Sequence, residues 1–156
     1  MVTYRKAKKD DAEGIAIVLK EAYNIDSVEE GIWVFKHETK KHHKYIVAEE
    51  DKKIIGIVTW KMHGLPKHEL FELDRIAVLP EFRGKGIAKE LFHAMIKEAN
   101  EEYKKHGFKS RKLFIMTHED NKRAHAFYEK MGCMHEATLK HHYYHGKDER
   151  VYSIFF

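Results

Sequence analysis

Apolar and polar positions along the chain switch repeatedly between strand-like and helical spacing. Residues 2–6 read as a strand. Ile15, Val18, Leu19 and Ala22 then fall on one face of a helix, with Asp10 or Asp11 placed to cap its start. Ser27 and Glu30 have the spacing of a capping box, which opens a second helix through Ile32, Trp33 and Phe35 to the histidine-rich stretch near His42. Three strand-like runs follow at 44–49, 53–62 and 69–78, joined by 50–52 and 64–66, connections short enough for an antiparallel meander. Apolar residues at 87, 91, 95 and 99, reinforced at 88 and 92, predict a long amphipathic helix. A strand at 111–117 comes next, then a short helix capped by Asp120 or Asn121 and ended by Gly132. Two last strands turn around His145 and Gly146. The order βααβββαβαββ predicts an α/β (α+β) fold with a mixed central sheet. Its strand-helix-strand succession around residues 87–99 calls for a parallel pair with a right-handed crossover.

The loop between the strand ending at Val78 and the helix beginning at Ile87 is the most specific stretch of the chain. Gly84 and Gly86 let the backbone turn tightly, so that consecutive N–H groups converge at the positive end of the following helix, which suits an anion. The spacing excludes a mononucleotide loop, which needs four residues between its glycines and then Gly-Lys-Ser/Thr. A dinucleotide loop fits poorly too, because Lys89 occupies the place of its third small residue. Lys85 and Lys89 flank this helix start, and Lys122 and Arg123 open the later short helix. Cations there oppose the helix dipole unless an anion docks between them.

Arg83-Gly84-Lys85-Gly86-Ile87-Ala88 resembles the Arg/Gln-x-x-Gly-x-Gly/Ala signature of the GNAT superfamily of acetyltransferases. The preceding Ile76-Ala77-Val78 strand end and the Pro80-Glu81-Phe82 turn fit the same pattern. The resemblance extends along the element order, and implies one GNAT-like domain over residues 1–156, in which a splayed parallel strand pair holds coenzyme A. It implies that the N–H groups of Arg83, Gly84, Lys85, Gly86, Ile87 and Ala88 receive the pyrophosphate of acetyl-coenzyme A. Unpaired backbone groups of Ile76, Ala77 and Val78 would then bond the pantetheine arm. The segment from Asn121 through Ala124 and Phe127 to Tyr128 resembles the family's Asn-x-x-Ala-x-x-Phe-Tyr run, which implies cofactor contact by Asn121 and protonation of the departing thiolate by Tyr128. A neutral phenol can donate such a proton, although a core tyrosine bonded to a backbone carbonyl has the same pattern.

Glu72 and Asp74 lie two apart on one strand and so share a sheet face. Glu72 matches the glutamate found in many relatives four residues before the Ile-Ala-Val segment, which implies a base. Ion pairing with lysines or attraction of a cationic substrate fits the two carboxylates equally well. The need for a base depends on the acceptor: deprotonating an α-amino group at pH 7 costs about 1 kcal/mol, a lysine side chain roughly 4.6. Tyr143 and Tyr144 resemble the paired tyrosines with which protein N-terminal acetyltransferases hold a peptide, while aromatic residues also pack well in any sheet. Tyr23, Trp33 and Phe35 either line the acceptor mouth or, by preference, pack in the core.

The 156 residues suit one domain, and 43% apolar with 35% charged residues is a globular composition without repeats or low-complexity stretches. Apolar runs are too short to span a bilayer and the first residues form no signal core, so a cytoplasmic protein without a membrane partner is expected. The net charge of +4 comes from lysines spread along helix faces, with neither a reading helix nor base-stacking aromatics beside them, so no nucleic-acid partner is expected. Cys133 is the single cysteine and reads as a small packed side chain. Of the 13 histidines, His37, His42 and His43 lack a clear same-face pair, and His141, His142 and His145 fall in a hairpin, so no metal site is expected. The reading is an acetyl-coenzyme A-dependent N-acetyltransferase. It transfers acetyl to a primary amine, a small molecule or a peptide N-terminus, by direct attack in a ternary complex. A coenzyme A-binding sensor or inactive partner subunit is the alternative, and a homodimer stays open.

Overall fold

The computed structural model describes residues 1–156. Its strands are β1 (Thr3–Lys6), β2 (Lys44–Glu50), β3 (Lys53–His63), β4 (Leu70–Val78), β5 (Lys112–His118), β6 (Met134–Tyr144) and β7 (Lys147–Phe155). Its helices are α1 (Ala12–Ala22), α2 (Val28–Lys40), α3 (Ile87–Lys105) and α4 (Lys122–Lys130). The observed succession is βααβββαβαββ, as the apolar pattern predicts, and the strands lie in the order β1-β2-β3-β4-β5-β7-β6. β1 with β2 and β2 with β3 are antiparallel, β4 with β5 parallel, and β7 antiparallel to both β5 and β6. No helix is long and apolar enough to cross a membrane.

Caps explain where the helices start. Ser27 Oγ accepts from the N–H of Glu30 at 3.0 Å, while the Glu30 carboxylate reaches back to the N–H of Asp26, one residue before the cap. Asn121 is the cap of α4, its Oδ1 accepting from the N–H of Ala124 at 3.1 Å. Asp11 precedes α1, but its carboxylate is taken by Arg5 and by the N–H of Lys8.

The chain divides into two compact units, residues 1–61 with 75–99, and residues 62–74 with 100–156. The core of the first joins Ile15, Val18 and Leu19 of α1 and Phe35 of α2 to Tyr45 and Val47 of β2, Ile57 of β3, and Ala77 and Leu79. Each such large side chain contributes about 1.5–3 kcal/mol on burial. α1 and α2 cross where Gly31 meets Ala16: a Cβ on Gly31 would lie 2.8 Å from that of Ala16. Trp33 departs from the preferred core role. It is 61% exposed and stacks on His37 one turn later at 4.4 Å, because its position on α2 lies off the apolar stripe that buries Gly31 and Phe35.

In the second unit, strand register sorts the residues by face. Leu73, Ile115 and Tyr152 are in register and project to one side, where Phe71 and Leu113 join them in a fully buried layer. Tyr103 of α3 and His125 and Tyr128 of α4 pack their rings against this layer. Glu72 and Asp74, then Phe114, Met116 and His118, and then Ser153, Val151 and Glu149 project from the opposite face.

Arg75, at the centre of β4, donates twice to the Glu38 carboxylate of α2 at 2.7 and 2.8 Å, and the Tyr45 hydroxyl also donates to it. Burial pushes the Glu38 carboxyl up, but the Arg75 and Tyr45 hydrogen bonds outweigh it and hold the pKa below the ordinary 4.5. A carboxyl depressed in the folded state stabilises the protein above its unfolded pKa, and that contribution is lost as pH falls from 4.5 through the lower native value. Glu38→Gln is expected to cost about 2 kcal/mol at pH 7 in urea unfolding. The deficit should shrink as pH is lowered below that range, and a deficit independent of pH would contradict the assignment.

Candidate functional site

The loop after β4 begins with a single 3-10 turn, Pro80–Phe82, and places Gly84 and Gly86 at φ of +79° and +80°. A Cβ at either glycine would meet nothing within 4 Å, so backbone conformation and not crowding calls for glycine there. The N–H of Arg83 is spent on the Pro80 carbonyl at 3.2 Å, and its Nε donates to the Val78 carbonyl at 3.0 Å. Arg83 therefore braces the loop against β4 and is corrected from the predicted set of free donors. No carbonyl of the protein accepts from the N–H groups of Gly84, Lys85, Gly86, Ile87 or Ala88; the first bond of the helix runs from the N–H of Glu90 to the Gly86 carbonyl at 3.1 Å. Ile87 is buried and anchors the turn, while residues 83–86 are exposed. Lys53 and Lys85 each place an ammonium 5.3 Å from the centre of the Phe82 ring, and Lys53 is also paired with Glu81 at 3.4 Å.

At the end of β4 the structure adds a contact that sequence pattern did not suggest. The Tyr23 hydroxyl, just past the end of α1, accepts from the N–H of Ile76 and donates to its carbonyl, both at 2.9 Å. The polar backbone groups of Ile76 are thus not unpaired, as predicted, but held by one side chain. The carbonyl of Val78 is likewise held by Arg83. Registered pairing of β4 with β5 covers Leu70–Leu73 against Lys112–Ile115, although β4 runs on to Val78 and β5 to His118.

In the second unit, Glu72 is buried, its side chain 6% exposed, and its Oε2 lies 3.0 Å from Nε2 of His63, the last residue of β3. The His63 ring is 44% exposed and packs edge-on against Phe114 at 5.0 Å. A second pair of the same kind stands on this face, His118 Nδ1 with the Glu149 carboxylate, Glu149 being 2% exposed. Tyr143 and Tyr144 are exposed, not packed into the sheet as ordinary strand aromatics would be, and the Tyr144 ring lies 6.0 Å from that of His118. Partial desolvation raises the pKa of the Tyr143 hydroxyl, and the negative charges of Glu72, Asp74 and Glu149 raise it further. Tyr128 is buried on α4 with its ring 6.1 Å from that of Tyr152, on the opposite side of the sheet from Glu72. Asn121 spends its oxygen on the α4 cap, which leaves its NH2 group as donor.

A sequence profile of the acetyltransferase (GNAT) family matches residues 11–133. The chain belongs to that family. The matched span takes in the glycine turn at residues 84–86 and the Asn121–Tyr128 segment. An uncharacterized N-acetyltransferase of Methanocaldococcus jannaschii is 29% identical over 149 residues, which cover 88% of this chain and 63% of that relative's length. Among solved structures, a Desulfovibrio desulfuricans protein assigned to the GNAT family superposes with a TM-score of 0.83 at 21% identity, covering 99% of both chains. The ribosomal-protein-S18-alanine N-acetyltransferase of Escherichia coli superposes with a TM-score of 0.78 at 17% identity, covering 99% of this chain and 94% of its own.

The one thiol is unsuited to carry an acetyl group. Cys133 is buried, and burial pushes its pKa up to about 11. An alkylating agent at pH 8 is expected to leave it unmodified in the native protein and to label it fully in denaturant, as measured by intact mass. Rapid labelling of the native protein would contradict its burial.

Proposed function

We propose that this chain is an N-acetyltransferase that moves the acetyl group of acetyl-coenzyme A to a primary amine by direct attack, with both substrates bound together, and that residues 1–156 act as one catalytic domain. The observation that carries the reading is the run of N–H groups that the protein leaves unsatisfied at the start of α3, from Gly84 through Ala88 and on to Lys89, up to the first bonded N–H, that of Glu90. Such donors suit a pyrophosphate, and the family profile runs without a break across the turn and the Asn121 segment. The inert Cys133 supports direct attack over an acetyl-enzyme.

Bound acetyl-coenzyme A would supply an activated acetyl carbon with a thiolate leaving group. The chain's residues do the rest. Gly84 to Ala88 hold the phosphates, Lys85 adds charge, and the Asn121 NH2 group donates to the same ligand. Backbone N–H groups of Ile76, Ala77 and Val78 hold the arm and polarise the thioester carbonyl once the Tyr23 hydroxyl withdraws from Ile76. Tyr128 gives its proton to the sulfur, and Glu72 helps to remove the amine's proton. Asp74, Tyr143, Tyr144 and Trp33 receive the acceptor. The Escherichia coli protein of the same fold is named for an alanine N-terminus, so a peptide amine is one arm of an acceptor screen beside polyamines and amino sugars.

Acetyl-coenzyme A is expected to raise the melting temperature, and one amine of the panel should release free thiol. Binding without release on any amine would favour a coenzyme A-binding sensor. Gly86→Val forces a branched residue to φ of +80° and is expected to weaken coenzyme A binding by about 10-fold or more, with the fold kept by circular dichroism. Unaltered affinity would remove the turn from the site. Tyr23→Phe deletes a competitor for Ile76 and is expected to tighten acetyl-coenzyme A binding about 5-fold in calorimetry. Weaker binding would show that the hydroxyl belongs to the bound state.

A further inference from the structure

We propose that His63, and not Glu72 directly, is the group that accepts the proton of the incoming ammonium, with Glu72 acting as its positioning residue. The inference rests on the acetyl-transfer reading above and deepens its base. The Glu72 carboxylate is sealed at 6% exposure, while the imidazole bonded to it keeps 44% of its side chain open. A base must reach the proton it removes, and of the two partners the ring is the one an amine can approach.

The geometry also sets the tautomer. Nε2 of His63 lies 3.0 Å from Glu72 Oε2 and carries the hydrogen that the carboxylate accepts, which leaves the Nδ1 lone pair as the acceptor site. Phe114, edge-on at 5.0 Å from β5 and in register with Glu72, packs against the ring. A buried carboxylate behind an imidazole both orients it and stabilises the imidazolium formed when it takes a proton, as in the Ser-His-Asp triad. The other ionisable groups on this face are Asp74 from β4, Tyr143 from β6, and the His118–Glu149 pair from β5 and β7, with Lys61 two residues back on the ring's own strand. Their charge is mainly negative, which favours a cationic amine at the face and the imidazolium during turnover.

The step balances. The ammonium passes one proton to Nδ1 of His63 and becomes a neutral amine, whose lone pair forms the C–N bond to the acetyl carbon. The C–S bond breaks, its electron pair leaving on sulfur. The nitrogen's second proton is matched by the one that sulfur takes up, and the imidazolium returns its proton to water at its exposed edge.

The test combines kinetics with a readout that needs no turnover. His63→Ala is expected to lower kcat/KM for the amine by about 100-fold with acetyl-coenzyme A affinity unchanged, and added imidazole should restore at least a tenth of the lost rate. In His63→Gln the limb of the pH profile belonging to the imidazole should vanish. By 15N NMR, the neutral His63 ring should carry its proton on Nε2 in the wild type and lose that tautomer preference in Glu72→Gln, since the carboxylate that holds the Nε2 hydrogen is gone. Wild-type thiol release with His63→Ala equally active, a loss that imidazole cannot restore, or a His63 tautomer indifferent to Glu72→Gln would overturn the proposal. Absence of thiol release from the wild type with every amine would overturn the acetyl-transfer reading itself, and this role with it, even where NMR finds the pair coupled.

Discussion

Consecutive backbone N–H groups that the protein does not satisfy, from Gly84 to Lys89, are the constraint from which the account of function follows. Peptide donors are obligatory hydrogen-bonding groups, and a folded chain normally disposes of them in helices, strands or turns. Here two residues at positive φ precede a helix whose first N–H groups lack intrahelical partners, as at every helix start, so the unsatisfied donors of turn and helix follow one another without interruption. Exposure of residues 84–86 to water makes the arrangement cheap when empty, and unsatisfied donors with Lys85 among them suit an anion.

The same accounting explains which neighbours are not free. Arg83 gives both its N–H and its Nε to the chain, so its part is to fasten the loop to the end of β4. Tyr23 closes the two polar groups of Ile76 with one hydroxyl that both accepts and donates. Arg75, between the two carboxylate-bearing positions and Ile76, is clamped to Glu38, which fastens β4 to α2. Function and stability therefore meet along β4: ion pairs and caps immobilise the strand, and the loop that follows it carries the open donors.

Much of this was legible in the sequence. The element order follows from periodicity alone, and the glycine turn from the local pattern Arg83 to Ala88, because both are short-range properties. What escaped the sequence depends on tertiary contact. Trp33 sits on an apolar-looking helix yet faces water and stacks on His37, since only the stripe through Gly31 and Phe35 is buried. Tyr143 and Tyr144 alternate like packed strand residues but lie exposed. The Tyr23 contact spans 53 positions, and no local rule reports it. His63 is nearer to reach: a strand followed by a short loop places its last residues beside the first of the next, but the strand-like run at 53–62 stops one residue short of it, where β3 ends.

The most direct measurement is a titration of the 15N-labelled protein with coenzyme A, followed amide by amide. The account predicts that the N–H signals of Gly84, Lys85, Gly86, Ile87 and Ala88 move most, toward lower field as each gains a phosphate acceptor, while that of Arg83 moves least because its bond to Pro80 persists. Tight binding that leaves those five amides in place, with the largest changes elsewhere, would contradict it.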